Sequence, residues 1–168
     1  MPKKTKEEII LGIDPGLATT GFGIIVKTSL GLKPIRFGTI NTSPKKIFAQ
    51  RLKIIHDEME KILIKYKPDF CAVESIYFCK NAKTALLVGQ ARGVVLLTCI
   101  KHQKPLLEFT PLQIKQAITS YGKAEKKQMQ QMVKVLLKLK DIPTPDDAAD
   151  ALACAICAAN SLATNSIS

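Results

Sequence analysis

The stretch IILGIDPGLATTGFGIIV, Ile9 to Val26, decides the architecture of this chain. Ile9, Ile10, Leu11 and Ile13 form a near-continuous aliphatic run, the composition of a strand covered on both faces. Pro15-Gly16 stops that strand and turns the chain, and Phe22 to Val26 reads as a second strand running back. One carboxylate, Asp14, stands at the end of the first strand, with Gly12, Gly16, Gly21 and Gly23 around it. An acid at the mouth of a buried strand costs free energy unless a cation, a metal or a hydrogen-bond network compensates it. Asp14 therefore calls for partners elsewhere in the chain.

Outward from this hairpin, a short turn over 29–33 leads to a third strand at about Pro34–Asn41, which pairs with the second. Ser43-Pro44 has the form of an N-cap with proline at the first helical position. Phe48, Leu52, Ile55, Met59, Ile62 and Leu63 then recur at helical spacing as far as about Tyr66, and Pro68 ends the pattern. Phe70–Glu74 is a short apolar fourth strand, Asn81–Lys101 a helix, and Leu106–Phe109 a fifth strand. Thr110-Pro111 opens another helix. Glu125–Leu139 follows, with Met129, Met132, Val133, Leu136 and Leu137 on one face, and Thr144-Pro145 starts a last helix reaching about Asn160. This order predicts an α/β fold: a mixed five-stranded sheet with helices on both faces and the first strand central. Residues 1–168 are expected to form a single domain, with 1–8 and 161–168 as frayed ends.

Composition narrows the function classes. With 46% hydrophobic and 23% charged residues the chain is globular, and no uninterrupted apolar run reaches the ~18 residues of a membrane span. MPKKTKEE is not followed by a signal-peptide pattern, so a cytoplasmic protein without a membrane partner is expected. Five cysteines, an odd count, argue against a disulfide framework. Cys154 and Cys157 form a CxxC within an alanine-rich helix and read as buried thiols, and His56 and His102 lack the spacing to complete a zinc site. The net charge of +11 is uneven: residues 101–140 hold nine lysines against Glu108 and Glu125, which favours a polyanionic partner, nucleic acid first.

Three further carboxylate positions can join Asp14. Glu74 ends the fourth strand as Asp14 ends the first. If those strands are parallel neighbours, both acids emerge at the carboxyl edge of the sheet, where open α/β sheets place ligands. The last helix adds TPDDAADALA, Thr144–Ala153. Asp146 and Asp147 suit a helix's first turn, whereas Asp150 lies beyond it. Asp150 shares a face with both Asp147 and Asp146, and spacing alone does not choose between those two. Carboxylates converging without arginines repel one another, and hard divalent cations such as Mg²⁺ or Mn²⁺ resolve that repulsion. Two such ions about 3.5–4 Å apart support phosphodiester hydrolysis. With the basic stretch, a metal-dependent nuclease is expected.

Six motifs in order, GIDPGLATTGFG, AVESIYFCKN, GQARGV, IKQAI, GKAEKKQMQ and DAADALA, resemble the RuvC family of Holliday-junction endonucleases. They span nearly the whole chain, from about Ile9 to Ala159. The resemblance implies a ribonuclease-H-like fold and a homodimer that nicks two opposed strands of a four-way DNA junction in recombination and repair. It also implies work with the branch-migration proteins RuvA and RuvB. On the family pattern the metal-binding, catalytic acids fall on Asp14, Glu74, Asp147 and Asp150, with Mg²⁺ as cofactor, Mn²⁺ substituting, and two ions per site. Lys115 and Lys126 fall near the scissile phosphate. Tyr77 takes the place of an aromatic that meets the junction, with Phe78 beside it as the alternative. The small residues Ala85, Gly89 and Gly93 permit close approach of another backbone, either the protein's own sheet or, as the resemblance implies, a second copy. The glycines around Asp14 shape the turn and are also expected to leave room for a DNA backbone.

Two other classes compete. A non-catalytic junction or nucleic-acid binder would keep the basic stretch and lose acids, whereas all four acids are present. An actin- or Hsp70-like ATPase also uses an acid, a glycine turn and a hairpin, but needs a second lobe for which 168 residues leave no room.

Overall fold

Alternate residues of the first strand, β1 (Glu8–Asp14), enter two separate cores. The computed structural model describes residues 7–75 and 81–165. β1 lies at the centre of a five-stranded mixed sheet with β2 (Thr19–Thr28), β3 (Gly31–Asn41), β4 (Phe70–Glu74) and β5 (Leu106–Phe109), in the order β3-β2-β1-β4-β5. β1 runs antiparallel to β2 and parallel to β4, and β4 runs parallel to β5. Leu11 and Ile13 face α1 (Phe48–Tyr66) and α2 (Ala82–Lys101), together with Ile24, Cys71 and Val73. Ile10 faces the other way, with Ile25 and Ala72, toward α3 (Pro111–Thr119), α4 (Lys126–Leu136) and α5 (Asp146–Asn165). The two-residue period of a strand thus sorts the sequence into two layers around one sheet.

The boundaries depart from expectation where side chains find other partners. Ser43-Pro44 begins a turn, not a helix: the Ser43 carbonyl accepts from Lys46 N at 3.1 Å and its hydroxyl from Lys45 N at 3.2 Å. Proline suits the second position of such a turn, and α1 begins only at Phe48. α4 ends at Leu136 because Lys138 adopts a left-handed conformation, φ 52°. Regular structure extends into the described part of both segments expected to fray. Glu8 pairs with Lys27 in the sheet, and Leu162 packs on the α5-side core, so α5 runs on to Asn165. Cys71, Cys99, Cys154 and Cys157 are buried free thiols.

α5 is seated by glycines. A Cβ on Gly12 would lie 2.0 Å from the Ala151 carbonyl oxygen, and one on Gly21 would lie 2.0 Å from that of Asp147. A Cβ on Gly23 would meet Leu152 Cδ2 at 2.7 Å. These glycines therefore admit the protein's own helix, which corrects the expectation that they clear space for DNA. Gly16 alone serves the turn, where a Cβ would lie 2.3 Å from the Thr19 carbonyl oxygen.

α2 is the one helix among the described residues long and apolar enough to cross a membrane by length and composition. It nonetheless buries Ala91, Val95, Thr98 and Cys99 against the fold, and Arg92 at its middle pairs with Glu108 of β5.

Candidate active site

Asp14 follows Ile10 and Gly12 on the α5 side of β1, and Glu74 follows Ala72 on the same side of β4. The parallel register pairs Ile13 with Val73, which sets the two acids next to each other at the carboxyl edge of the sheet. Across the hairpin, Asp14 pairs with Gly21, and the Asp147 carbonyl rests on Gly21. Absence of a side chain at that glycine thus brings the first turn of α5 over the end of β1. Asp150, one turn further along α5, sits toward Glu74: both line a cleft of about 240 Å³ that also contains Lys115 and Lys126.

The acids act on one another. Burial pushes the Asp14 carboxyl up to about 8, reinforced by the charges of Glu74, Asp150 and Asp147 and opposed by Lys126. Glu74 is raised by burial and by Asp150, with Lys115 and Lys126 opposing. Asp150 is raised by burial, and Lys126 offsets part of that. Half-buried carboxylates that resist ionisation together have the donor chemistry of a hard-cation site. Among the described residues, no three acid, cysteine or histidine side chains already stand close enough to enclose an ion. Instead Lys126 Nζ reaches between Asp146, at 3.1 Å, and Asp150, at 3.6 Å.

Asp146 and Asp147, which spacing left equivalent, part company here. Asp146 is exposed, held by Lys126 and by Gln130 Nε2 at 2.9 Å, and its carboxyl is lowered mainly by the hydrogen bond from Lys126. Asp147 acts on Asp14 and also lines a second cleft beside the β1–β2 turn. Gln130 escaped sequence reading, although its position four residues after Lys126 puts both on one face of α4. Arg51, which opens into the second cleft, carried no sequence signal beyond its place on an amphipathic helix.

Tyr77 and Phe78 lie outside the described residues. Ala85 is half-buried, whereas Gly89 and Gly93 are exposed, and no atom lies within 4 Å of a Cβ built on either glycine. The Gly89/Gly93 stripe therefore does not pack on the protein's own sheet. It lies on a side of α2 where Leu86, Leu97 and Ile100 are 64%, 60% and 57% exposed.

The family model for crossover junction endodeoxyribonuclease RuvC matches residues 10–158, which include all four acids and both lysines. This chain belongs to the RuvC family. The RuvC protein of Halothermothrix orenii is 52% identical over 157 residues, covering 94% of this chain and 95% of that one. The RuvC protein of Alkaliphilus oremlandii is 51% identical over 152 residues. Thermus thermophilus RuvC, solved in complex with a Holliday junction substrate, superposes with a TM-score of 0.89 at 33% identity, covering 94% of this chain and 96% of that one. The yeast mitochondrial Holliday junction resolvase Ydc2 shares the fold, with a TM-score of 0.66 at 14% identity. RuvC membership confirms the expected family and ribonuclease-H-like class, and it favours neither the ATPase-fragment nor the non-catalytic alternative.

Proposed function

We propose that this protein resolves four-way DNA junctions by nicking two opposed strands, during recombination and repair. The observation that carries the reading is the convergence of Asp14, Glu74, Asp147 and Asp150 at one sheet edge, beneath two lysines, in a RuvC-family chain. The donor set fits Mg²⁺, with Mn²⁺ as substitute: every candidate ligand is a carboxylate, and Asp14 is strained toward its protonated form without a cation. Asp14, Glu74, Asp147 and Asp150 would hold two ions, which supply Lewis-acid stabilisation of the phosphodiester and a nucleophile from water.

The remaining work falls to the protein's own groups. Lys115 and Lys126 line the Glu74–Asp150 cleft and place positive charge where a phosphate approaches. Lys126 is shared between Asp146 and Asp150, so it is held over the site before DNA arrives. Tyr77 and Phe78 follow Glu74 in sequence, and one of them is proposed to stack on an unpaired base at the crossover.

Symmetric cutting needs two sites, and the exposed Leu86, Leu97 and Ile100 with Ala85, Gly89 and Gly93 on α2 support a homodimer through that helix. The wider reading is a single-domain cytoplasmic enzyme that acts with RuvA and RuvB. The test is cleavage of a synthetic four-way junction against linear duplex. Junction nicking that requires Mg²⁺ or Mn²⁺, is abolished by Asp14→Asn, and survives as binding in that variant is the expected result. Junction binding without cutting under every divalent cation would return the protein to the non-catalytic class.

A further inference from the structure

The acid cluster lies between two clefts, and among the described residues lysines line only one of them. The Glu74–Asp150 cleft holds Lys115 and Lys126. The second, about 450 Å³, is bounded by Gly16 and Thr19 of the β1–β2 turn, Arg51 of α1, Thr84 and Leu87 of α2, and Asp147. Asp147 opens into one cleft and Asp150, one helical turn away, into the other. A strand whose phosphate lay over the acids would have a cleft on either side of it.

Arg51 is built to receive it. Its Nε donates to Thr42 Oγ1 at 2.9 Å, and the Thr42 hydroxyl in turn donates to the Leu17 carbonyl of the turn. This chain fixes one edge of the guanidinium and leaves the two terminal nitrogens without a hydrogen bond among the described residues. No carboxylate there forms an ion pair with it, although Asp147 lines the same cleft. A half-buried, pre-aimed guanidinium with no acid partner is suited to a planar polyanionic oxygen group, and phosphate is the class that fits. The apolar wall offered by Leu87 and its neighbours suits a deoxyribose.

We infer that the Arg51 cleft binds the DNA phosphate flanking the scissile one, on the side of the acid cluster away from Lys115 and Lys126. The inference rests on the junction-cleaving reading. It is tested by measuring junction affinity against salt in the Asp14→Asn background, with Arg51→Gln, Thr42→Val and Lys115→Ala added singly. Arg51→Gln is expected to weaken binding about tenfold near 0.1 M salt and to make the log–log salt slope shallower by about 0.9, one phosphate contact. Thr42→Val removes the hydroxyl that orients Arg51 but keeps the cation, so it should lower the melting temperature and leave the slope intact.

An unchanged slope in Arg51→Gln, while Lys115→Ala reduces its own, overturns the Arg51 site alone. If neither Arg51→Gln nor Lys115→Ala changes junction affinity, the junction-binding reading itself fails. A measurement on the otherwise unmodified Asp14→Asn protein needs no further variant. Single methylphosphonates placed at phosphates adjacent to the cut should reveal one position, outside the lysine cleft, whose neutralisation costs about as much as Arg51→Gln. Equal tolerance at every such position overturns the proposal.

Discussion

The two twenty-residue helices, α2 and α5, cover opposite faces of one sheet, and each carries small residues at four-residue spacing. On α5 the row Ala151, Ala155 and Ala159 is wholly buried, and the glycines of β1 and β2 lie directly beneath its N-terminal half. On α2 the row Ala85, Gly89 and Gly93 faces outward, and the glycines in it touch nothing. The same spacing therefore has opposite consequences. What separates them is whether small residues exist on a facing element: Gly12, Gly21 and Gly23 answer α5, and no part of the described chain answers α2. α5 uses its close approach to carry two acids onto the end of β1. α2 leaves its small residues uncovered by the described chain.

Gly21→Ala should break the α5 half of the comparison most severely. The new methyl would lie 2.0 Å from the Asp147 carbonyl, a backbone atom that cannot move without the helix. The cost is expected to reach about 3 kcal/mol or more. Thermal unfolding should show a large loss of stability, and any folded remainder should cleave poorly because Asp147 no longer overlies Asp14. Gly93→Ala, in open space, should leave that transition in place. A stable, active Gly21→Ala protein would show that the glycines do not set the seat of α5.

The acids give the α5 face a marked pH dependence. Asp14 has a folded-state pKa near 8 against an ordinary 3.8, so between those values the folded state binds more protons than the unfolded one. Asp14's contribution to the stability of the metal-free protein is then full below about pH 4 and declines as pH rises toward 8. The loss is on the order of a few kcal/mol, and Asp14→Asn should flatten most of it. Denaturant melts in EDTA at pH 5 and pH 8 measure both slopes. At neutral pH Mg²⁺ binding should also release close to one proton, read from heats in buffers of different ionisation enthalpy. Melts independent of pH would remove the repulsion on which the metal site rests.

Leu97→Glu tests the other half. Leu97 is 60% exposed on the outward side of α2, so a charge there should leave the isolated chain folded. If that side is a dimer seam, the substitution should cost the dimer about 2 kcal/mol or more. Equilibrium sedimentation should then find a dimer for the parent protein at micromolar concentration and mainly monomer for the variant. A parent that sediments only as monomer would leave the α2 stripe without a partner of its own kind.

The contrast also explains what was legible in the sequence. The central place of β1 followed from the aliphatic run at Ile9–Ile13, because such a run suits a strand covered on both faces. Asp14 and Glu74 were legible because a strand's end is a definite place on a sheet edge. Asp147 and Asp146 were not separable, because both share a helical face with Asp150. Their difference comes from Lys126 and Gln130 on α4, which capture Asp146, and from Gly21, which draws in Asp147. The purpose of the glycines was misread for a related reason. Gly12, Gly21 and Gly23 flank the acid in sequence and so suggest an open approach to it, yet the occupant of that space comes from more than 120 residues away. Ser43-Pro44 misled because a cap and a turn share the same first two residues, and the choice depends on where the following chain meets the core.

Gly89→Ala carries the smallest expected effect and separates the two meanings of small spacing most directly. A glycine inside a helix costs about 1 kcal/mol relative to alanine through backbone entropy. In the isolated chain the added methyl meets nothing, so Gly89→Ala should stabilise the monomer by up to that amount. Against a second α2, the same methyl would stand where two backbones approach, and the dimer should weaken. The signs therefore oppose. Unfolding measured at high dilution should shift upward, while the dissociation constant from sedimentation should rise. A variant stabilised at every concentration, with unaltered association, would place the seam elsewhere on α2 and leave Gly89 without a contact to serve.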